Sequence, residues 1–256
     1  MNLNSHHLGA HLYNSRGERF MSRYYPKQME FMTRDKLSQS IYYEILSGNA
    51  GPNGGVFLDA TMIPSDIYIR EIPSEWNLAL SAGIDLSKER LEVAPSSHYF
   101  MGGIRIDEKC RTTLKGLFAA GECTAGVQGA NRLANNGLAE ALVFGVIAGE
   151  NASKYASETK MPTYDGTSLE QKIIEIQEVF SSDGVSPRSI MTDIQGMMTK
   201  HVGVIKDRKG LELAIDLLQE YSVNKMNADF NARWSPKLIH GISVRNMICL
   251  GQSIAM

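Results

Sequence analysis

An imidazole, a carboxylate and a guanidinium fall close together in this chain at His98, Glu122 and Arg132, and a second guanidinium, Arg34, stands well upstream. Arg132 follows Gly129-Ala130-Asn131. An arginine beside a glycine suits a bidentate grip on a carboxylate, though a structural ion pair is as good a reading. His98 lies just before Met101-Gly102-Gly103, where paired glycines let the backbone turn sharply or approach a ligand. A structural histidine with its hydrogen bonds satisfied is the alternative. Arg34 follows Thr33 at a helix start, where the dipole prefers anions. Burial or function must offset that cost, on the order of a few tenths of a kcal/mol; a surface arginine or a partner for Asp35 is the plainer reading.

The strongest physical argument attaches to Asn135-Asn136-Gly137-Leu138. A helix starting there presents free backbone N–H groups and a positive dipole end, and Gly137 lets an anionic ligand come close. The phosphate-binding pattern G-x-G-x-x-G is absent, so an intact dinucleotide site cannot be written from this chain alone. A metal site is not expected: His6, His7 and His11 have no carboxylate or cysteine nearby, and adjacent histidines in a strand point to opposite faces. Cys110, Cys123 and Cys249 are odd in number and widely spaced. They make neither a disulfide framework nor an iron–sulfur or zinc cluster, and read as small buried or half-buried hydrophobes.

The elements that must position these groups follow from periodicity. Residues 8–21 read as a hairpin about the Asn14-Ser15-Arg16-Gly17 turn. Thr33 caps a helix to residue 47, with Leu37, Ile41 and Ile45 on one face and Gly48 as terminator. A loop leads to a strand over residues 56–59, a short helix spans 75–82 before Gly83, and 93–106 turns extended. Residues 117–120 read as a strand buried on both faces, and 137–156 as a long apolar helix whose Gly145, Ala148 and Gly149 allow close approach to a sheet or cofactor. Amphipathic helices follow at 169–180, 187–201, 210–221 and from 236 onward, with breaks at Asp183-Gly184 and Asn227-Ala228-Asp229.

Composition bounds the class. The chain has 256 residues, 43% apolar and 21% charged, with a formal charge of −2, an ordinary globular balance without a footprint for nucleic acid. The run Lys206-Asp207-Arg208-Lys209 reads as a solvated helix start. No apolar run approaches a membrane span and no signal-peptide pattern opens the chain, so a soluble, cytoplasmic protein is expected.

Taken together, these segments resemble the fumarate reductase and succinate dehydrogenase flavoprotein family, which includes L-aspartate oxidase. NSRGERF and TRDKLSQSIYYEI look like its capping domain, HYFMGGIRID and GLFAAGEC through GANRLANNGLAEALVFGVIAGE like the returning half of its FAD domain. ARWSPKLIHGISVRNMICLGQSIAM looks like its C-terminal helical domain. The resemblance implies a mixed α+β, α/β chain: a partial capping domain at residues 1–92, the second half of a Rossmann-like FAD-binding domain at 93–160, and a truncated helical domain at 161–256.

It also implies roles. Arg34 matches the proton donor or acceptor at the substrate carbon, and His98 and Arg132 match the pair that holds a substrate carboxylate. Glu122 matches the residue bonding the ribityl chain, and Asn136, Gly137 and Leu138 the helix start facing the flavin pyrimidine edge. Gln128 stands where the family usually has histidine and Gly137 where it usually has serine. The implied cofactor is FAD, the substrate a dicarboxylate, the chemistry fumarate–succinate interconversion in electron transport. The implied partners are the missing N-terminal half and an iron–sulfur subunit, which would hold the protein in the cytoplasm or at the membrane's cytoplasmic face. Two alternatives stay open: L-aspartate oxidase chemistry, and a non-catalytic fragment that serves only as a folded binding module. The chain alone is expected to be inactive for want of half its FAD contacts.

Overall fold

The structure, a computed structural model, describes residues 4–161, 163, 166–223, 225–227 and 235–256. The chain divides into two compact units, Met1–Pro95 with Glu170–Met256, and Ser96–Leu169.

The first unit opens with α1 (Asn4–His7), β1 (His11–Tyr13), α2 (Met21–Tyr24), a 3-10 turn at Met29–Phe31 and α3 (Arg34–Leu46). β2 (Val56–Asp59), α4 (Ser65–Glu71), α5 (Pro73–Ser81) and β3 (Leu91–Val93) follow. The strands form an antiparallel sheet in the order β1-β2-β3, pairing Leu12 with Leu58 and Val56 with Val93. Alternation sends Leu12, Val56 and Leu58 into a core with Phe20, Tyr68 and Trp76. His6 and His7 lie in a helix rather than a strand.

The hairpin expected over residues 8–21 does not form. Its turn exists, since the Asn14 Oδ1 accepts the N–H groups of Arg16 and Glu18 at 3.0 Å each. Its second limb does not, because Phe20 and Met21 are buried at the start of α2 and Arg19 turns to Glu30. β1 takes β2 as its ladder partner instead. In α3, Thr33 occupies the N-cap without a side-chain hydrogen bond. At the other end Gly48, at φ +75°, directs its N–H to the Ile45 carbonyl.

Two buried carboxylates tie these elements together. Glu30 accepts Arg19 Nε at 3.0 Å, Arg19 Nη2 at 2.6 Å and the Leu12 amide at 3.1 Å. Burial pushes its carboxyl up, but these donors outweigh it and hold the group below the usual carboxylate value. Glu44 accepts Asn14, Arg23, Tyr24 and Asn49, and burial is likewise outweighed.

The Ser96–Leu169 unit contains β4 (Ile104–Arg105), a 3-10 turn at Gly121–Cys123, β5 (Thr124–Ala125) and α6 (Asn136–Glu158). β4 and β5 pair in parallel, Ile104 with Thr124. Of the extended stretch expected over 93–106, only the ends are ladder strands. The doubly buried strand expected at 117–120 is absent: Leu117 is 46% exposed, and Phe118 makes only an isolated bridge to Arg111. Such a strand needs neighbours on both edges, and among the described residues this unit has a single two-residue ladder.

The chain continues through α7 (Gly166–Glu178), β6 (Phe180–Val185), α8 (Pro187–His201), α9 (Arg208–Val223) and α10 (Pro236–Ala255). Ile190, Ile194 and Met197 of α8 pack with Ala214 and Leu218 of α9 and Val244 and Ile248 of α10. β6 stands where a helix end and a break were expected; Phe180 and Val185 both bridge Met226. Gly184 makes this possible, since a Cβ there would meet the backbone at Met226 and Asn227. The expected break continues into residues 228 and 229, which lie outside the described residues. Lys206 to Lys209 are exposed at the start of α9. Cys110 is buried, whereas Cys123 and Cys249 are exposed. No helix among the described residues is long and apolar enough to cross a membrane.

Candidate functional site

The site grows from the way Ser96–Leu169 is tied together. Gly121, at φ +79°, brings the 3-10 turn against Ala141 of α6, and Thr124 Oγ1 donates to the Gly121 carbonyl at 2.8 Å. The turn carries Glu122, whose Oε1 accepts the Phe100 amide at 3.1 Å. That bond fixes the segment holding His98 and Tyr99 relative to the turn. His98 itself is exposed.

α6 starts from an unusual cap. Asn135 sits in the left-handed region at φ 68°, and no side chain caps the helix. The Asn136 amide reaches the Leu133 carbonyl at 3.3 Å and the Leu138 amide the Asn135 carbonyl at 3.2 Å. The Gly137 amide has no acceptor among the described residues, so this first turn keeps a free donor there, at the positive end of a 23-residue helix. A Cβ at Gly137 would lie 2.6 Å from Tyr99 Cε2. Glycine is therefore needed there to admit the tyrosine ring, a reason that spacing alone did not reveal. Gly145 and Gly149, expected to bring the helix close to a neighbour, face open space.

Arg132 is half-buried beside that ring. Its guanidinium carbon lies 4.1 Å from the Tyr99 centroid, and its Nη1 donates to the Leu133 carbonyl at 3.3 Å. Its Nε is shielded from water and has no hydrogen-bond partner among the described residues. The Tyr99 hydroxyl donates to Glu140 at 2.7 Å, and Gln128 Nε2 donates to the same carboxylate oxygen at 2.6 Å. The hydrogen bond to Glu140, joined by desolvation, pushes the Tyr99 phenol up to about 12, so it stays protonated at ordinary pH.

Sequence reasoning passed over Tyr99 and Glu140. A usable signal existed: Glu140 is the one acidic residue in the apolar run 136–149, where a charge must find partners. His98, Glu122, Arg132 and the Asn136 to Leu138 helix start all belong to the Ser96–Leu169 unit. Arg34 is exposed at the first position of α3, in the other unit.

For a bound flavin, the observation bearing on fit is the free Gly137 donor and the helix dipole behind it, which suit an anionic ring edge. The residues present fit that edge.

Comparison with known proteins gives a consistent picture. Residues 4–138 match the FAD binding domain family. A fumarate reductase (CoM/CoB) polypeptide of Methanothermobacter marburgensis is 36% identical over 242 residues, covering 94% of this chain and 44% of that protein. L-aspartate oxidase of Caulobacter vibrioides is 37% identical over 204 residues, covering 79% and 36%. A solved structure of E. coli quinol fumarate reductase superimposes with a TM-score of 0.83 at 28% identity, over all of this chain and 47% of that one. The chain thus spans about two fifths of the length of the curated relatives it matches.

Proposed function

The chain belongs to the FAD-binding family of fumarate reductase, succinate dehydrogenase and L-aspartate oxidase flavoproteins, and from that premise we propose that it supplies the substrate-gripping part of a flavoenzyme interconverting fumarate and succinate. FAD is the family's cofactor, and when bound it supplies hydride exchange at its N5. On this reading residues 1–92 cap the substrate, 93–160 form the returning half of the FAD domain, and 161–256 form the helical domain.

The chain's own residues do the rest. Arg132 and His98 hold a substrate carboxylate, so that binding energy serves orientation and charge stabilisation. Glu122 bonds the ribityl chain, and the Asn136-Gly137-Leu138 start faces the pyrimidine edge. Arg34 delivers or accepts the proton at the substrate carbon. A guanidinium gives up its proton reluctantly, so this role requires fast reprotonation by a relay. The observation that carries this reading is the convergence in one unit of Arg132, the Tyr99 platform beneath it and the free donor at Gly137.

The complete flavoprotein contains these residues together with the rest of the relatives' length, and an iron–sulfur protein carries its electrons in electron transport at the cytoplasmic face of the membrane. The isolated chain is colourless and inactive. The test is to load the full-length flavoprotein containing these residues with FAD and to follow dye-linked fumarate reduction and succinate oxidation. Arg34→Ala is expected to lower turnover by about three orders of magnitude or more, the scale of losing positioned acid–base catalysis. Flavin absorbance stays intact. Wild-type turnover in that variant removes Arg34 from the mechanism. L-aspartate oxidation in the same assay, with no fumarate reduction, would favour the second reading, which the 37% identity to an L-aspartate oxidase supports.

A further inference from the structure

Glu140 is 4% exposed, yet the chemistry proposed above does not use it. A buried carboxylate is costly unless partnered, and a hydrophobe would pack as well on an apolar helix. Its partners indicate what it holds. Oε2 accepts the Tyr99 hydroxyl at 2.7 Å and Gln128 Nε2 at 2.6 Å, while Thr124 Oγ1 stands 3.4 Å from Oε1. Both close donors adjoin Arg132: Tyr99 lies under its guanidinium, and Gln128 sits four residues before it in the same loop.

Arg132 has little else to hold it. Its one hydrogen bond among the described residues, from Nη1 to the carbonyl of adjacent Leu133, is long at 3.3 Å. The Tyr99 ring, its centroid 4.1 Å from the guanidinium carbon, is the surface against which the group rests, and the orientation of a guanidinium decides whether its fork meets both oxygens of a carboxylate. Tyr99 is in turn confined from two sides, by Gly137 against its ring and by Glu140 on its hydroxyl.

We propose that Glu140 is a positioning residue: through Tyr99, and through Gln128 in the arginine's own loop, it pre-orients Arg132 for a substrate carboxylate. A long, flexible arginine side chain has much rotamer entropy to lose on being fixed. Ordering it before the ligand arrives removes part of that cost from binding. The high Tyr99 pKa agrees with a fixed device, because the phenol keeps its proton throughout the working range.

This inference rests on the dicarboxylate reading, and its test separates the two. In the FAD-loaded flavoprotein containing this chain, fumarate kinetics are compared for wild type, Tyr99→Phe, Glu140→Gln, their double variant and Arg132→Lys. Tyr99→Phe and Glu140→Gln should each raise KM on the order of tenfold, as for one lost charge-assisted bond. Their kcat should stay within about twofold, the signature of lost uniform binding. The double variant should be no worse than the worse single, since both cut one connection. Unchanged KM in both singles, with Arg132→Lys impaired, overturns the positioning role alone. Additive losses overturn it too. Unchanged KM in Arg132→Lys overturns the dicarboxylate reading itself. If Glu140→Gln fails to fold, Tyr99→Phe decides the matter, because it retains the ring and loses only the hydroxyl.

Discussion

Between residues 10 and 86, fifteen apolar side chains from Ala10 to Leu86 close on one another, whereas across Ser96–Leu169 Cys110 is the only apolar side chain fully buried among the described residues. The first region is a conventional core around a three-stranded sheet. The second is held by polar bonds: Asp107 closing its turn onto Lys109 and Arg111, Glu122 onto Phe100, Glu140 onto Tyr99 and Gln128. Its apolar residues face outward, with Leu133, Leu138, Leu142, Val143 and Val146 between 56% and 74% exposed. Exposed apolar surface of that kind marks a face that meets something else. The region carrying the candidate substrate grip is thus the one with the least core of its own, and its geometry depends on a few charged hydrogen bonds. On the proposed reading, the remainder of the flavoprotein covers this face.

The largest expected effect tests the first half of the comparison. Leu12 is fully buried opposite Leu58. Leu12→Ala should cost about 2–5 kcal/mol, from lost transfer energy plus the cavity left behind. Urea unfolding of the chain followed by circular dichroism measures it. A loss below about 1 kcal/mol would mean that this region does not hold itself together in the way described.

Next in size is the ionic tie inside that core. Glu30→Gln removes the charge from a carboxylate that accepts three donors, at a cost of about 1–3 kcal/mol. The pH dependence has a definite sign. Glu30 and Glu44 are both held below the ordinary glutamate value of 4.5, so their stabilisation is complete above that pH and is lost as pH falls through their folded values. The urea midpoint of the wild type should therefore fall as the pH drops below 4.5, and fall less in Glu30→Gln. Equal falls would remove Glu30 from the acid response.

How far the sequence disclosed these two regions follows from the same physics. Where a core exists, periodicity reports it: Leu37 and Ile41 marked α3, the strand at Val56–Asp59 was placed to the residue, and Pro187–His201 matched its helix. Where order rests on side-chain hydrogen bonds, the reading failed. Nothing in the spacing of Arg19 and Phe20 showed that a turn would open into a helix instead of a hairpin, because the deciding partner, Glu30, is eleven residues away. In the candidate site, Arg132 and Glu122 were legible as residue types. Tyr99 and Glu140, forty-one residues apart, connect only through folding. Gly137 was singled out for the approach of a ligand, and the structure adds the Tyr99 ring against its Cα.

The smallest expected effect is the sharpest test of the comparison, because it asks for almost nothing. Leu142 stands at 64% exposure in α6. Leu142→Ala removes an apolar side chain that already lies in water, and alanine keeps the helix propensity. Stability of the isolated chain should move by no more than about 0.5 kcal/mol, against several for Leu12→Ala. The two are leucine truncations of the same size, so burial dominates the difference between them, with a smaller part from alanine's preference for helix over strand. A loss near about 2 kcal/mol at Leu142 would show that this face is covered in the isolated chain, and the contrast between the regions would collapse. A null result in residues 1–256 alone, with measurable destabilisation in the full-length flavoprotein, would show that the face is apolar because it is covered only in the complete protein.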